Sequence, residues 1–266
     1  MTDTALCDLT AIELRRLIGR KAISPVDLLD ACLKRIEAVN PAINAIVAMD
    51  EKAAREAAQA AEKAVMAGAT LGPLHGLPLG VKDLDETKGL RTTYGSRQFE
   101  TFVPEADCGM VANLRAAGAV VLGKTNVPEF GLGANSVNPV YGPTGNPFRP
   151  THNAAGSSGG SAAALATGMV PIATGSDTGG SLRNPAAYCG IVGYRPTPGL
   201  VPSEKRGLGW TPLSVLGPMA RTVPDLALML SAMAADDPRD PLSGPVDPTS
   251  FHPLREIDPG TLRVAV

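Results

Sequence analysis

In the first third of the chain, apolar residues recur at helical spacing. Along "ISPVDLLDACLKRIEAVN", residues 23–40, Val26, Leu29, Leu33 and Ile36 share one face, Ser24 stands at the N-cap position, and Pro25 falls in the first turn. The spacing predicts an amphipathic helix. The next stretch, "DEKAAREAAQAAEKAVMAG", is rich in Ala and laced with charge. Propensity predicts a helix closed by Gly68, and its weak hydrophobicity predicts a place on the outside.

After the turn signal "LGPLHG" the period drops to two. In "LPLGVKDL" Leu77, Leu79 and Val81 alternate with Pro78, Gly80 and Lys82, a strand pattern with the lysine on the less apolar side. By pattern alone this reads as an edge-strand lysine that reaches water. Downstream, "DCGMVANLRAAG" reads as a helix and "AVVLG" as a buried strand. "SAAALATG" reads as a helix, "MVPIATGSD" as a strand, "SLRNPAAYCG" as a short helical turn and "IVGYRP" as another strand. This alternation predicts an α/β fold, a mixed sheet packed between helices, with residues 1–68 as a mainly helical flank. The final "TLRVAV" alternates like a strand that has begun and is not finished, so the chain reads as one cut short.

Composition narrows the class. The 266 residues are 44% hydrophobic and 4% aromatic with 29 Gly and 24 Pro, which suits a loop-rich globular enzyme. The formal charge of -2, without blocks of like charge, lacks the footprint of a nucleic-acid binder. The sequence shows neither an apolar run of membrane-spanning length nor a signal-peptide pattern, and a cytoplasmic enzyme is the default expectation. Cys7, Cys32, Cys108 and Cys189 have no metal spacing, and His75, His152 and His252 form no ligand cluster, so no metal is expected.

The chemistry concentrates in two serine and glycine clusters, "AGSSGGSAAALATG" and "GSDTGGSLR". The first could be a flexible linker, a phosphate cradle or part of an active site. Its apolar, helical neighbour argues against a linker, and it matches neither the P-loop nor the dinucleotide pattern. A serine nucleophile needs a base, yet no histidine lies in a polar loop motif and no G-x-S-x-G elbow frames Ser157 or Ser181. Lysine is another solution, because burial disfavours its charged form and frees the amine to accept a proton; Lys82 fits that description.

"GLPLGVKD", "GKTNVPEF", "YGPTGNP", "AGSSGGSAAALATG", "IATGSDTGGSLRNPAAYCGIVGYRPTPG" and "LGPMARTVPDLALML" run in order from Leu77 to Leu230. Together they resemble the amidase signature family, the Ser-Ser-Lys amide hydrolases. The resemblance implies Ser181 as nucleophile, Ser157 as a bridging serine after a cis Gly156–Ser157 bond, and Lys82 as base. It also implies an oxyanion hole of the backbone N–H groups of Thr178, Gly179, Gly180 and Ser181. Asp177 and Arg183 would pair or anchor the loop, with Ser158 in support. Thr125, Asn126 and Asn146 are expected as loop-forming groups near the site. Neither cofactor nor metal is implied; the partner expected is a small-molecule amide, with no nucleic acid and no membrane, and a homodimer is left open.

On this reading residues 1–266 are a single amidase domain whose catalytic core is 77–194, lacking the C-terminal half of the family fold. "HNAAGSSGG" departs from the Pro-Gly-Gly that many relatives carry before the two serines, a change outside the relay. The activity implied is hydrolysis of a linear, non-peptide carboxylic acid amide. One alternative is the amidase component of a tRNA-dependent amidotransferase, though "GLGWTPLSVLGPM" lacks the Asp-Gln pair associated with that component. Another is a catalytically idle binding protein on the same fold.

Overall fold

The computed structural model describes residues 3–207 and 209–263. Three helices open the chain: α1 (Asp3–Asp8), α2 (Ala11–Gly19) and α3 (Pro25–Ile43). α2 and α3 each begin with a capping box, Thr10 with Glu13 and Ser24 with Asp27, which satisfies N–H groups that a helix start leaves unpaired. The buried side of α3 is broader than the predicted stripe: Leu28, Leu29, Cys32 and Ile36 are buried, while Val26 and Leu33 are half-buried. α4 (Glu51–Met66), capped by Asp50, buries only Ala54, Ala58, Ala61 and Val65, one narrow stripe, and turns its charged residues outward.

The flank is not purely helical. β1 (Ile46–Met49), too short for the period to reveal, pairs antiparallel with β3 (Val120–Thr125). The chain continues through β2 (Pro78–Lys82), α5 (Gly109–Ala116) and β3, then a two-stranded ribbon of β4 (Val137–Asn138) and β5 (Gly142–Pro143). Next come α6 (Gly159–Ala166), β6 (Ile172–Asp177), α7 (Arg183–Cys189), β7 (Val192–Gly193), β8 (Val215–Ala220) and α8 (Val223–Met233). The main sheet has the order β1-β3-β2-β6-β8-β7. Its centre, β3, β2 and β6, is parallel, and β1, β8 and β7 join antiparallel. This is a mixed sheet covered by helices, as the alternation implied.

The sheet continues past residue 194. β8 pairs with β6 along its whole length, from Ile172↔Ala220 to Asp177↔Val215, although Gly217 and Pro218 hide its alternation in the sequence. The strand expected over "IVGYRP" shrinks to Val192–Gly193. Pro259–Thr261 form a 3-10 turn, and residues 264–266 of "TLRVAV" lie outside the described residues. Among the described residues no helix is long and apolar enough to cross a membrane.

Two local features set the site. β2 and β6 pair only at Leu79↔Ile172 and Gly80↔Ala173, after which the Lys82 N–H donates to Thr174 Oγ1 (2.8 Å). The strands therefore part at their carboxyl ends, where ligands of parallel sheets commonly bind. α6 lies buried from Gly159 to Leu165 against this opening. A Cβ on Gly160 would stand 2.2 Å from the Asn126 nitrogen, so only glycine allows this approach. Gly160→Ala is expected to destabilise the fold by about 1–3 kcal/mol, read as a lower midpoint in denaturant unfolding.

Candidate active site

Lys82 sits at the end of β2, third strand of six, and is fully buried. The expectation of an edge lysine reaching water is thus overturned: β3 and β6 flank β2, and all five of its residues are buried. Lys82 Nζ lies 2.8 Å from each of three hydroxyls, Ser157 Oγ, Ser158 Oγ and Ser176 Oγ. Three hydroxyls suit either protonation state, since an ammonium donates three bonds whereas an amine donates two and accepts one. Burial pulls the amine down to about 7, against the opposite pull of Asp85 and Asp177.

The first serine cluster is held from two sides. Gly156–Ser157 is a cis bond, as the resemblance implied. Buried Ser136 accepts from the Gly159 N–H (3.0 Å) and donates to the Ser157 carbonyl (3.3 Å). Ser158 N–H donates to the Ser181 carbonyl (3.3 Å), which joins the two serine clusters. Ser181 itself is half-buried, on the turn between β6 and α7.

Asp177 anchors that turn. Its carboxylate receives the N–H groups of Gly180 (2.8 Å) and Leu182 (3.1 Å) and a two-pronged contact from Arg183, Nε at 3.0 Å and Nη2 at 3.1 Å. Arg195 adds a contact to Oδ1 at 3.1 Å and another to the main-chain oxygen of Asp177. Burial pushes the carboxyl up, but the Arg183 contact and the two N–H groups outweigh it and hold it at about 2. The pair expected between Asp177 and Arg183 is therefore present and anchors the backbone as well.

One oxyanion donor needs correction. Gly180, at φ +119°, already spends its N–H on Asp177. Among the described residues, Thr178, Gly179 and Ser181 make no intramolecular hydrogen bond through theirs, and Thr178 and Gly179 are exposed.

Ser176, Ser136 and Arg195 escaped the sequence reading. Ser176 was findable, because the period of two along β6 puts it on the same face as Thr174, and both touch Lys82. Ser136 and Arg195 reach the site from loops, for which the sequence offers no period. Thr125 hydrogen-bonds Ser161 (2.6 Å) beneath the first serine cluster. Asn126 ties Gly142, Thr144 and Asn138 together, and Asn146 spans Tyr188 and Phe148. Asn126 and Asn146 hold loops as expected, whereas Thr125 closes β3 and ties that strand to α6 instead.

Comparison with known proteins identifies the family. The sequence profile of the family described as Amidase matches residues 27–266. A glutamyl-tRNA(Gln) amidotransferase subunit from Thermus thermophilus is 44% identical over 258 residues, covering 92% of this chain and 53% of the relative. An acylamidase of Rhodococcus erythropolis is 42% identical over 266 residues, covering 100% of this chain and 56% of the relative. Among solved structures, a bacterial aryl acylamidase superposes with a TM-score of 0.85 at 36% identity, covering 90% of this chain and 50% of that one. The peptide amidase of Stenotrophomonas maltophilia gives 0.81 at 35% identity, with 89% and 50% covered. The chain spans about half the length of the curated relatives it matches.

Proposed function

The chain belongs to the amidase signature family, and from that premise we propose that it encodes the catalytic relay of an amidase, which converts a carboxylic acid amide to the acid and ammonia or an amine. The observation that carries this reading is the 2.8 Å contact between the buried Lys82 Nζ and Ser157 Oγ. Neutral Lys82 accepts the proton of Ser157 while Ser157 takes the proton of Ser181, and Ser181 Oγ forms a bond to the amide carbon. The N–H groups of Thr178, Gly179 and Ser181 meet the negative oxygen, a stabilisation typically worth about 2.7–4 kcal/mol per donor. As the C–N bond breaks, the proton returns through Ser157 to the leaving nitrogen. Water then cleaves the acyl-enzyme through the same relay, releasing the acid and restoring Ser181.

Ser157 is a bridge and not the nucleophile, so its loss should hurt less than that of Ser181. Ser157→Ala is expected to keep slow acylation, with a water standing imperfectly in place of the hydroxyl. Single-turnover acylation rates check this; equal residual rates for the two alanine variants would contradict the division of roles.

The proposed substrate class is a linear, non-peptide amide. A panel of primary amides and anilides with hydroxylamine as acceptor tests it. Acyl hydroxamate is the product expected from any accepted amide, and its absence across the panel would count against the reading. The amidotransferase relative from Thermus thermophilus supports a second reading, an amidase that works as one component of a complex. Glutamine hydrolysis that appears only on addition of partner proteins would favour it over the first.

A further inference from the structure

A second set of buried charges lies next to the relay and takes no part in it. Lys124, near the end of β3, is as completely buried as Lys82. Its ammonium donates to the main-chain oxygen of Asp85 and to Thr87 Oγ1 (3.0 Å). Asp83, also fully buried, accepts from the Thr93 N–H (3.1 Å) and the Thr93 hydroxyl (2.6 Å). Asp85 accepts from the Thr174 hydroxyl (2.9 Å), the same hydroxyl that receives the Lys82 N–H (2.8 Å). Two carboxylates and one ammonium are thus enclosed beside the amine of Lys82.

Buried charge is costly unless it is offset close by. Asp177, whose charge also acts on Lys82, is already offset by Arg183 and Arg195. Among the described residues Asp85 has no such arginine; the cations near it are Lys124, whose Nζ bonds the Asp85 main-chain oxygen, and Lys82, whose N–H shares the Thr174 hydroxyl with the Asp85 carboxylate, and both draw the carboxyl down. Without Lys124, the group placed to offset Asp85 by holding a proton is Lys82, and a protonated Lys82 cannot act as a base. We propose that Lys124 is a positioning residue for Lys82: by offsetting the buried carboxylates of Asp83 and Asp85, it keeps the Lys82 amine free to accept a proton. This inference rests on the reading of Lys82 as the base.

The charged surroundings of the pair come from several elements. Lys82 faces Asp85 from the loop after β2 and Asp177 from β6, besides the hydroxyls of Ser157, Ser158 and Ser176. Lys124 faces Asp83 and Asp85, together with Asp107 and the Cys108 thiol from the segment that leads into α5. Burial lowers Lys124 and raises both aspartates, and attraction within the set opposes each of those shifts.

The test is an NMR titration of the 266-residue chain labelled with 13C at the lysine ε-carbons, with the Lys82 signal assigned from a Lys82→Met sample. In Lys124→Met the Lys82 midpoint is expected to rise by about one pH unit, and in Asp85→Asn to fall. The double variant should lie closer to the parent than Lys124→Met does. An unmoved or lower Lys82 midpoint in a folded Lys124→Met chain would overturn the proposal, because a merely structural lysine would change thermal stability alone. Should Lys124→Met fail to fold, Asp85→Asn decides: a lower midpoint supports the proposal, and an unchanged or higher one overturns it. The titration needs no turnover, so a chain that hydrolyses no amide would still give this answer.

Discussion

Replacing Ser181 with alanine is expected to abolish the acyl-enzyme and to reduce amide hydrolysis by on the order of 10⁶-fold, the scale seen when a serine hydrolase loses its nucleophile. The fold should survive the change. Ser181 is half-buried, and its turn is held through Asp177, whose partners Gly180, Leu182, Arg183 and Arg195 all remain in the variant. On the proposed mechanism the oxygen lost is the one that bonds to the acyl carbon, and neither Ser157 nor Ser158 is expected to stand in for it. Both are buried against the Lys82 amine, whereas Ser181 stands beside the free N–H groups of Thr178 and Gly179. Steady-state rates and intact-protein mass after incubation with an amide substrate check the outcome together. A Ser181→Ala chain that still accumulates an acyl adduct would move the nucleophile elsewhere.

Lys82→Arg should cost about 10²–10⁴-fold in kcat/KM, the usual contribution of a positioned general base. The guanidinium keeps its proton at any workable pH, so charge is preserved while base function is lost. The unsubstituted chain is expected to carry a pH signature of the same group. With Lys82 lowered to about 7 by burial, the amine is protonated below that point, so kcat/KM is expected to fall as the pH drops through it and to level off above it. Stability moves with the same group. Its folded value lies below the unfolded value of about 10.4, so the unfolded chain binds more protons between the two and stability rises with pH across that window. Lys82→Met should remove this dependence while also being inactive. A folded Lys82→Arg chain that hydrolyses amides at near-parent rates would exclude lysine as the base.

Much of this was legible in the sequence because it was written at short range. Ser24 before Pro25 and Asp50 before the Ala-rich run mark helix starts by local chemistry, and α3 and α4 begin there. β2 shows a period of two and β3 begins with an apolar run, and the blocks around Lys82, Ser157 and Ser181 carry the family resemblance on contiguous residues. Other features depend on distant partners. The burial of Lys82 follows from β3 and β6 closing on either side of β2, which no window around residue 82 reveals. β1 has only four residues, and β8 is interrupted by Gly217 and Pro218, so neither shows a period. Nothing in the block "GKTNVPEF" marks Lys124 as buried; the fold places it beside Asp85 and Thr87. The engagement of the Gly180 N–H by Asp177 is set by the shape of a turn, and composition cannot report it.

If Ser181 is activated through Ser157 by a neutral, buried Lys82, labelling with a fluorophosphonate reports that activation without a substrate. The rate of labelling, followed by mass across pH 5 to 9 and localised by peptide mapping, should fall on Ser181 and rise through a midpoint of about 7. Lys82→Arg should flatten the curve at a low rate. Label on another residue, or a Ser181 rate that keeps its rise in Lys82→Arg, would contradict the relay.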